Sequence, residues 1–183
     1  MPVHFIIGGA RSGKSRHAEQ LAAATQLPVT YIATAQAGDA EMAARIAHHR
    51  AHRPAQWATL EAPLLLAQAL REAAAPDRAV IVDCLTLWLA NTLLGLHDAR
   101  AGEEPGPPVL SPLFAQQRAA LLDCLPQLPG RIIVVSNEIG LGVVPMGAIT
   151  RLFMDEAGRL NQAVAALATQ ATLMVAGLPM PLK

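Results

Sequence analysis

The sequence predicts a three-layer α/β domain around a mostly parallel central sheet. Three observations lead there. Short apolar runs rich in β-branched residues recur at strand length, unbroken rather than alternating, as strands covered on both faces require. Ala/Leu-rich stretches of helical length separate these runs, so strand and helix alternate along the chain. The first run ends in a glycine-rich turn that opens the first helix, "FIIGGARSGKSRHAEQL".

In chain order, "VHFII" (3–7) is the first expected strand and residues 14–24 the first helix. "VTYIAT" (29–34) is the second strand, followed by expected helices over 41–52 and 63–74. "AVIV" (79–82) is the third strand, with a helix over 85–96 after it. Residues 97–112, "HDARAGEEPGPPVLSP", hold four prolines and two glycines and offer little to bury. They read as a surface loop, with a flexible substrate lid as the functional alternative. A helix over 112–125, the strand "RIIVVS" (131–136), a helix over 149–169 and the strand "TLMVAG" (172–177) complete the pattern. No repeat or linker divides the 183 residues, so residues 1–183 are expected to form a single domain. The alternation leaves strand order open.

Lys plus Arg and Asp plus Glu number 14 each, so no overall field draws the chain to nucleic acid or to an acidic membrane surface. An anionic ligand must be held by a local site. Cys84 and Cys124 stand far apart without a CxxC or Cys/His ligand spacing, which suits buried thiols in a reducing compartment. The first apolar run is too short for a signal peptide or a membrane span, and a cytoplasmic protein is expected.

The local site is "GGARSGKS", which satisfies G-x-x-x-x-G-K-[ST] between a strand and a helix and makes the expected fold P-loop NTPase-like. Gly8 and Gly13 allow a turn that side chains would obstruct. The backbone N–H groups of Gly9, Ala10, Arg11 and Ser12 can then face phosphate oxygens beside the positive end of the helix. Lys14 is expected to reach the outer phosphates and Ser15 to ligate Mg²⁺. The strand "AVIVD" delivers Asp83 to the sheet edge on which nucleotides bind in this architecture, where it can hold the same Mg²⁺. "RIIVVSNEIG" delivers Asn137 and Glu138 to that edge, either to position an attacking hydroxyl or sense the nucleotide, or to cap the turn that follows.

Six histidines occur in the chain, and His48, His49 and His52 crowd into "EMAARIAHHRAHRP" (41–54). At the helical period, Arg45, His48 and His52 fall within about 40° of Glu41, a polar stripe, whereas His49 falls with Met42, Ile46 and Arg53 on a largely apolar one. Three readings of the stripe stand. His48 and His52, four apart, resemble half a metal site, but no carboxylate or cysteine completes the set and HExxH is absent. A solvated basic face beside a phosphate site is the second. The third is a nucleophile, because neutral imidazole can attack phosphorus and form a phosphoramidate.

"FIIGGARSGKSRHAEQL", "YIATAQAGDAEMAARIAHHRAHRPAQWATLEAP", "VIVDCLTLWLANTLL", "VVSNEIGLGVVP" and "FMDEAGRLNQAVAALATQATLMVAGLPMPLK" together resemble the bifunctional adenosylcobinamide kinase/adenosylcobinamide-phosphate guanylyltransferases of cobalamin biosynthesis. The resemblance runs almost end to end and sags around residues 103–110. It implies two reactions: phosphorylation of adenosylcobinamide by ATP or GTP, then transfer of GMP from GTP to the phosphate so formed. It implies that His48 is guanylylated. It also implies nucleotide contacts at residues 8–15, at Thr34, Ala35 and Gln36, at His49, Arg50, Ala51, His52 and Arg53, at Glu61 and at Asp83. The partners implied are adenosylcobinamide, its phosphate and further copies of the chain in a homo-oligomer, a trimer. A small-molecule kinase lacking the second step and a non-enzymatic nucleotide switch are the alternative readings.

Overall fold

The computed structural model describes residues 3–36, 53–93 and 110–183, together with Ala40 and Ala43. Apart from Ala43, the expected helix over 41–52 lies outside the described residues, as does most of the loop over 97–112. Among the described residues seven strands form one sheet: β1 (Val3–Gly8), β2 (Val29–Ala33), β3 (Ala58–Glu61), β4 (Ala79–Asp83), β5 (Arg131–Asn137), β6 (Gln170–Val175) and β7 (Leu178–Pro181). Their order is β3-β2-β4-β5-β1-β6-β7. Every pairing is parallel except the β6–β7 hairpin.

Unbroken apolar runs are explained by burial of both faces. Val3, Phe5 and Ile7 of β1 join Val80, Val82, Ile132 and Val134 in one core, while Ile6, Ile81, Ile133 and Val135 join another on the opposite face. Helix α1 (Lys14–Ala24) covers the second face with Ala18 and Ala22. The first face is covered by α2 (Leu66–Ala73), α3 (Leu85–Leu93), α4 (Pro112–Cys124) and α5 (Ala148–Leu167), which contribute Leu66, Trp88, Phe114 and Leu160 among others. Pro112 stands in the first turn of α4, where its missing N–H costs nothing. Cys84 and Cys124 are free and buried. No helix among the described residues is long and apolar enough to cross a membrane.

The structure departs from the expected elements at the edges of the sheet. Strand β3, "ATLE", is short and mostly exposed, so it carries no apolar run for pattern reading to find. Strand β7, "LPMP", contains two prolines, which only an edge strand tolerates. The expected strand over 172–177 begins at Gln170 and stops at Val175, because Ala176 (φ 52°) and Gly177 (φ 80°) form the hairpin turn. The helix expected from residue 63 begins at Leu66: Leu65 lies outside helical geometry at φ −90°, ψ 55°.

Strand register sets the site. Glu61, Ala33 and Asp83 stand abreast across β3, β2 and β4, and Gly8 stands opposite Asn137 across β1 and β5. All lie at the carboxyl ends of parallel strands, the edge at which ligands bind in open α/β sheets.

Candidate active site

After Gly8 the chain turns sharply enough to put both Arg11 (φ 55°) and Gly13 (φ 95°) in the left-handed region. Such a turn directs successive backbone N–H groups to one concave side, which suits an anion at a helix N-terminus. The turn is held from outside as well as within. Glu138 N–H donates to Gly8 O at 3.0 Å and Gly177 N–H donates to Ser12 O at 3.0 Å, so β5 and the β6–β7 hairpin both brace the phosphate loop. Gly8 has no room for a side chain, since a Cβ there would stand 2.4 Å from Met174 O. Lys14 Nζ donates to Gly9 O at 2.6 Å and reaches Ser12 Oγ at 3.4 Å. Burial lowers its pKa, opposed by the charge of the Asp83 carboxylate.

A cavity of about 450 Å³ opens over this loop, a volume suited to a nucleotide. Ala10, Arg11, Ser12, Gly13, Lys14 and Ser15 line it from the loop; Ala35, Arg53, Glu61 and Asp83 line it from the sheet edge. Of the other residues named from the sequence, Gly8, Gly9, Thr34 and Gln36 do not line it. Gly8 and Gly9 form the back of the turn. Thr34 is fully buried, and its hydroxyl accepts from Cys84 N–H at 2.8 Å and donates to Cys84 O at 2.7 Å. Gln36 does not line the cavity, and its Oε1 is buried without a hydrogen-bond partner among the described residues. His48, His49, Arg50, Ala51 and His52 lie outside the described residues.

Asn137 and Glu138 of "SNE" stand in different surroundings. Asn137 lines the cavity, and its backbone is fixed by Thr86 Oγ1, which accepts its N–H at 2.8 Å, and by Asn161 Nδ2, which donates to its carbonyl at 3.2 Å. Ser136 Oγ donates to Asn161 Oδ1 at 2.7 Å and ties this polar network into α5. Glu138 Oε1 accepts from Gly140 N–H at 2.6 Å and so caps the following turn.

Tyr31 went unnoticed in the sequence because it sits inside an apolar run and reads as core. Its hydroxyl donates to Asp83 Oδ2 at 2.6 Å, and the Arg53 guanidinium lies over its ring, 3.4 Å from the centroid. Burial and the neighbouring Asp83 carboxylate push the phenol pKa far up, so it stays a donor at any working pH. Cys84 also lines the cavity, its pKa pushed up to about 12 by burial and by Asp83. Its thiol is therefore neutral and is no candidate for a nucleophile.

Among the described residues no group of three or more His, Cys, Asp or Glu forms a metal cage. The oxygen donors that line the cavity include the Ser15 hydroxyl and the Asp83 and Glu61 carboxylates. That sparse, hard set fits Mg²⁺, which takes one or two carboxylates and completes its shell with water and substrate phosphates.

Comparison with known proteins agrees with this geometry. The family model described as cobinamide kinase / cobinamide phosphate guanyltransferase matches residues 4–182. The chain is 58% identical over 98% of its length, and 96% of the relative's, to the bifunctional adenosylcobalamin biosynthesis protein CobP of Pseudomonas aeruginosa. It is 39% identical, over 98% of both chains, to the bifunctional adenosylcobalamin biosynthesis protein CobU of Salmonella typhimurium. Among solved structures, an ATPase from the type III secretion system of pathogenic bacteria superposes with a TM-score of 0.52 at 12% identity, over 94% of this chain and 50% of that one. That likeness marks the P-loop NTPase fold. With the phosphate loop, Asp83 and Asn137 gathered on one sheet edge, the chain belongs to the cobinamide kinase / cobinamide phosphate guanyltransferase family of bifunctional enzymes.

Proposed function

We propose that this chain phosphorylates the aminopropanol hydroxyl of adenosylcobinamide with ATP or GTP and then joins GMP from GTP to the new phosphate, yielding adenosylcobinamide-GDP and pyrophosphate. The observation that carries the reading is the convergence of Lys14, Ser15 and Asp83 on one cavity roofed by the phosphate loop. Lys14 neutralises charge on the outer phosphates, and the loop N–H groups orient them for in-line transfer. Ser15 and Asp83 hold Mg²⁺, which when bound neutralises the phosphate oxygens. Asn137 orients the hydroxyl or phosphate that attacks. Arg53 and Glu61, which line the same cavity, serve the remainder of the nucleotide.

In the second reaction a nitrogen of neutral His48 attacks the α-phosphorus of GTP. The new P–N bond forms as the bond to pyrophosphate breaks. A phosphate oxygen of adenosylcobinamide phosphate then attacks the same phosphorus and releases the histidine. Splitting one transfer into two in this way is ordinary covalent catalysis. We further read the chain as one nucleotide-binding domain that works in the cytoplasm as a homotrimer. Support for assembly comes from Leu141, Val143 and Met146, which are 87%, 95% and 94% exposed and apolar.

GTP labelled at the α-phosphate tests the relay. Protein-bound label that is labile in acid and stable in base is the expected phosphoramidate. His48→Ala abolishes labelling while γ-phosphate transfer to adenosylcobinamide stays measurable, and His49→Ala labels more slowly. Loss of label in His49→Ala alone would move the nucleophile by one residue. Normal labelling in both variants would leave a kinase with a basic helix.

A further inference from the structure

We propose that Tyr31 is a positioning residue of the nucleotide site, fixing the Asp83 carboxylate through its hydroxyl and seating Arg53 on its ring. The inference rests on the reading of Asp83 as the carboxylate that serves Mg²⁺. Tyr31 stands two residues before Ala33 in β2, and Ala33 pairs with Asp83 in β4. Residues two apart on a strand share a face, so Tyr31 and Asp83 are diagonal neighbours across the two strands. The phenol is 2% exposed and its hydroxyl lies 2.6 Å from Asp83 Oδ2. That distance is typical of a charge-assisted bond to a carboxylate.

The bond uses one carboxylate oxygen and sets the rotamer of Asp83, leaving the other oxygen for the cavity that Asp83 lines. Without the hydroxyl, the carboxylate keeps its charge but loses its orientation. The ring has a separate task. The Arg53 guanidinium lies over it, 3.4 Å from the ring centroid, and both residues line the same cavity. A guanidinium seated on an aromatic face is held in place yet keeps its edge donors free for an anion. One buried side chain thus orders an acidic and a basic group of the site together, by two chemically separable contacts.

The separation makes the test. Affinity for N-methylanthraniloyl-GTP, read by fluorescence, is measured with Mg²⁺ and with EDTA in wild type, Tyr31→Phe, Tyr31→Leu, Asp83→Asn and the double variant Tyr31→Phe/Asp83→Asn. Tyr31→Phe keeps the ring and is expected to lower the ratio of Mg²⁺ to EDTA affinity about tenfold or more, the size of one lost hydrogen bond to a charged group. Tyr31→Leu lowers that ratio equally and also weakens binding in EDTA about threefold or more, through Arg53. Adding Tyr31→Phe to Asp83→Asn changes the ratio no further. If Asp83→Asn keeps the wild-type ratio, the Mg²⁺ reading of Asp83 fails and takes this proposal with it. If Asp83→Asn lowers the ratio and Tyr31→Phe does not, the positioning role alone is overturned. Equal losses in Mg²⁺ and EDTA for Tyr31→Phe would mean general damage to the fold and would overturn it too.

Discussion

Replacing Gly8 with alanine tests whether the phosphate loop is braced by β6. A Cβ at Gly8 would stand 2.4 Å from Met174 O, 2.9 Å from Ser12 Oγ and 3.2 Å from Met174 Cβ. Carbon and carbonyl oxygen meet comfortably at about 3.3 Å or more, so roughly 0.9 Å of movement is needed. Ser12 Oγ can rotate aside, but Met174 O is backbone in a strand paired with β1 at Gly8 itself. Either β6 slides or the phosphate loop tilts. Overpacking of this kind costs about 1–3 kcal/mol, and the reduced freedom of the unfolded alanine chain returns less than about 1 kcal/mol. A loop displaced by about 1 Å also costs on the order of 100-fold in phosphoryl transfer. Urea unfolding followed by circular dichroism should therefore show a loss of about 1–2 kcal/mol, and kinase turnover should fall by one to two orders of magnitude, on the order of the cost of misalignment. Gly9→Ala is the internal control, because nothing lies within 4 Å of a Cβ there; its stability should stay within about 0.5 kcal/mol. A Gly8→Ala protein matching wild type in both assays would refute the brace.

Thr34→Val removes a hydroxyl that both accepts from Cys84 N–H and donates to Cys84 O, leaving the Cys84 N–H without that acceptor while the carbonyl keeps its bond from Trp88 N–H; urea unfolding should register a loss of about 1–3 kcal/mol, and a loss under about 0.5 would contradict the bonding. His4 has its pKa lowered by burial and then by the charge of His17. The unfolded chain therefore takes up the proton first, so stability is whole above the ordinary histidine value near 6.5 and declines as pH falls toward the folded value. His4→Gln should lose less stability than wild type between about pH 7.5 and 5.5, the range around an ordinary histidine pKa; parallel losses would exclude His4 as the source. Gln26 follows α1 at φ 58°, a left-handed position. Gln26→Gly should raise the urea midpoint by an amount worth about 0.5–1 kcal/mol, and a decrease would argue against that geometry.

What could be read from sequence was what local chemistry encodes. Residues 14–24 were expected as a helix and α1 spans them, since a phosphate loop fixes where its helix starts. The buried strands declared themselves by unbroken apolar runs, because both sheet faces are covered. Asp83 was legible as the polar end of such a run. Elements defined by distant partners were not legible. Strand β3 is held by its register on β2, and β7 by pairing with β6 despite Pro179 and Pro181. Tyr31 shows its role only when β2 and β4 are laid side by side. Gly177 looked like the end of a strand, and its contact with Ser12 O depends on a hairpin folding back across the loop. Glu61, which no local motif singles out, lines the cavity because the same register sets it level with Asp83.

The position of β1 between β5 and β6 has a consequence for biosynthesis. During translation, β1 leaves the ribosome before either strand that will flank it. His4 must wait for Thr172, 168 residues later, to complete its hydrogen bond. Until then an apolar strand with two open edges is carried by the nascent chain, the kind of surface that invites wrong pairing and chaperone capture. Sheets closed by such distant strands fold slowly. The nucleotide offers no early rescue, because Gly177 braces the phosphate loop only after β6 is in place. Stabilisation by bound GTP is therefore available to the finished chain and withheld from the growing one.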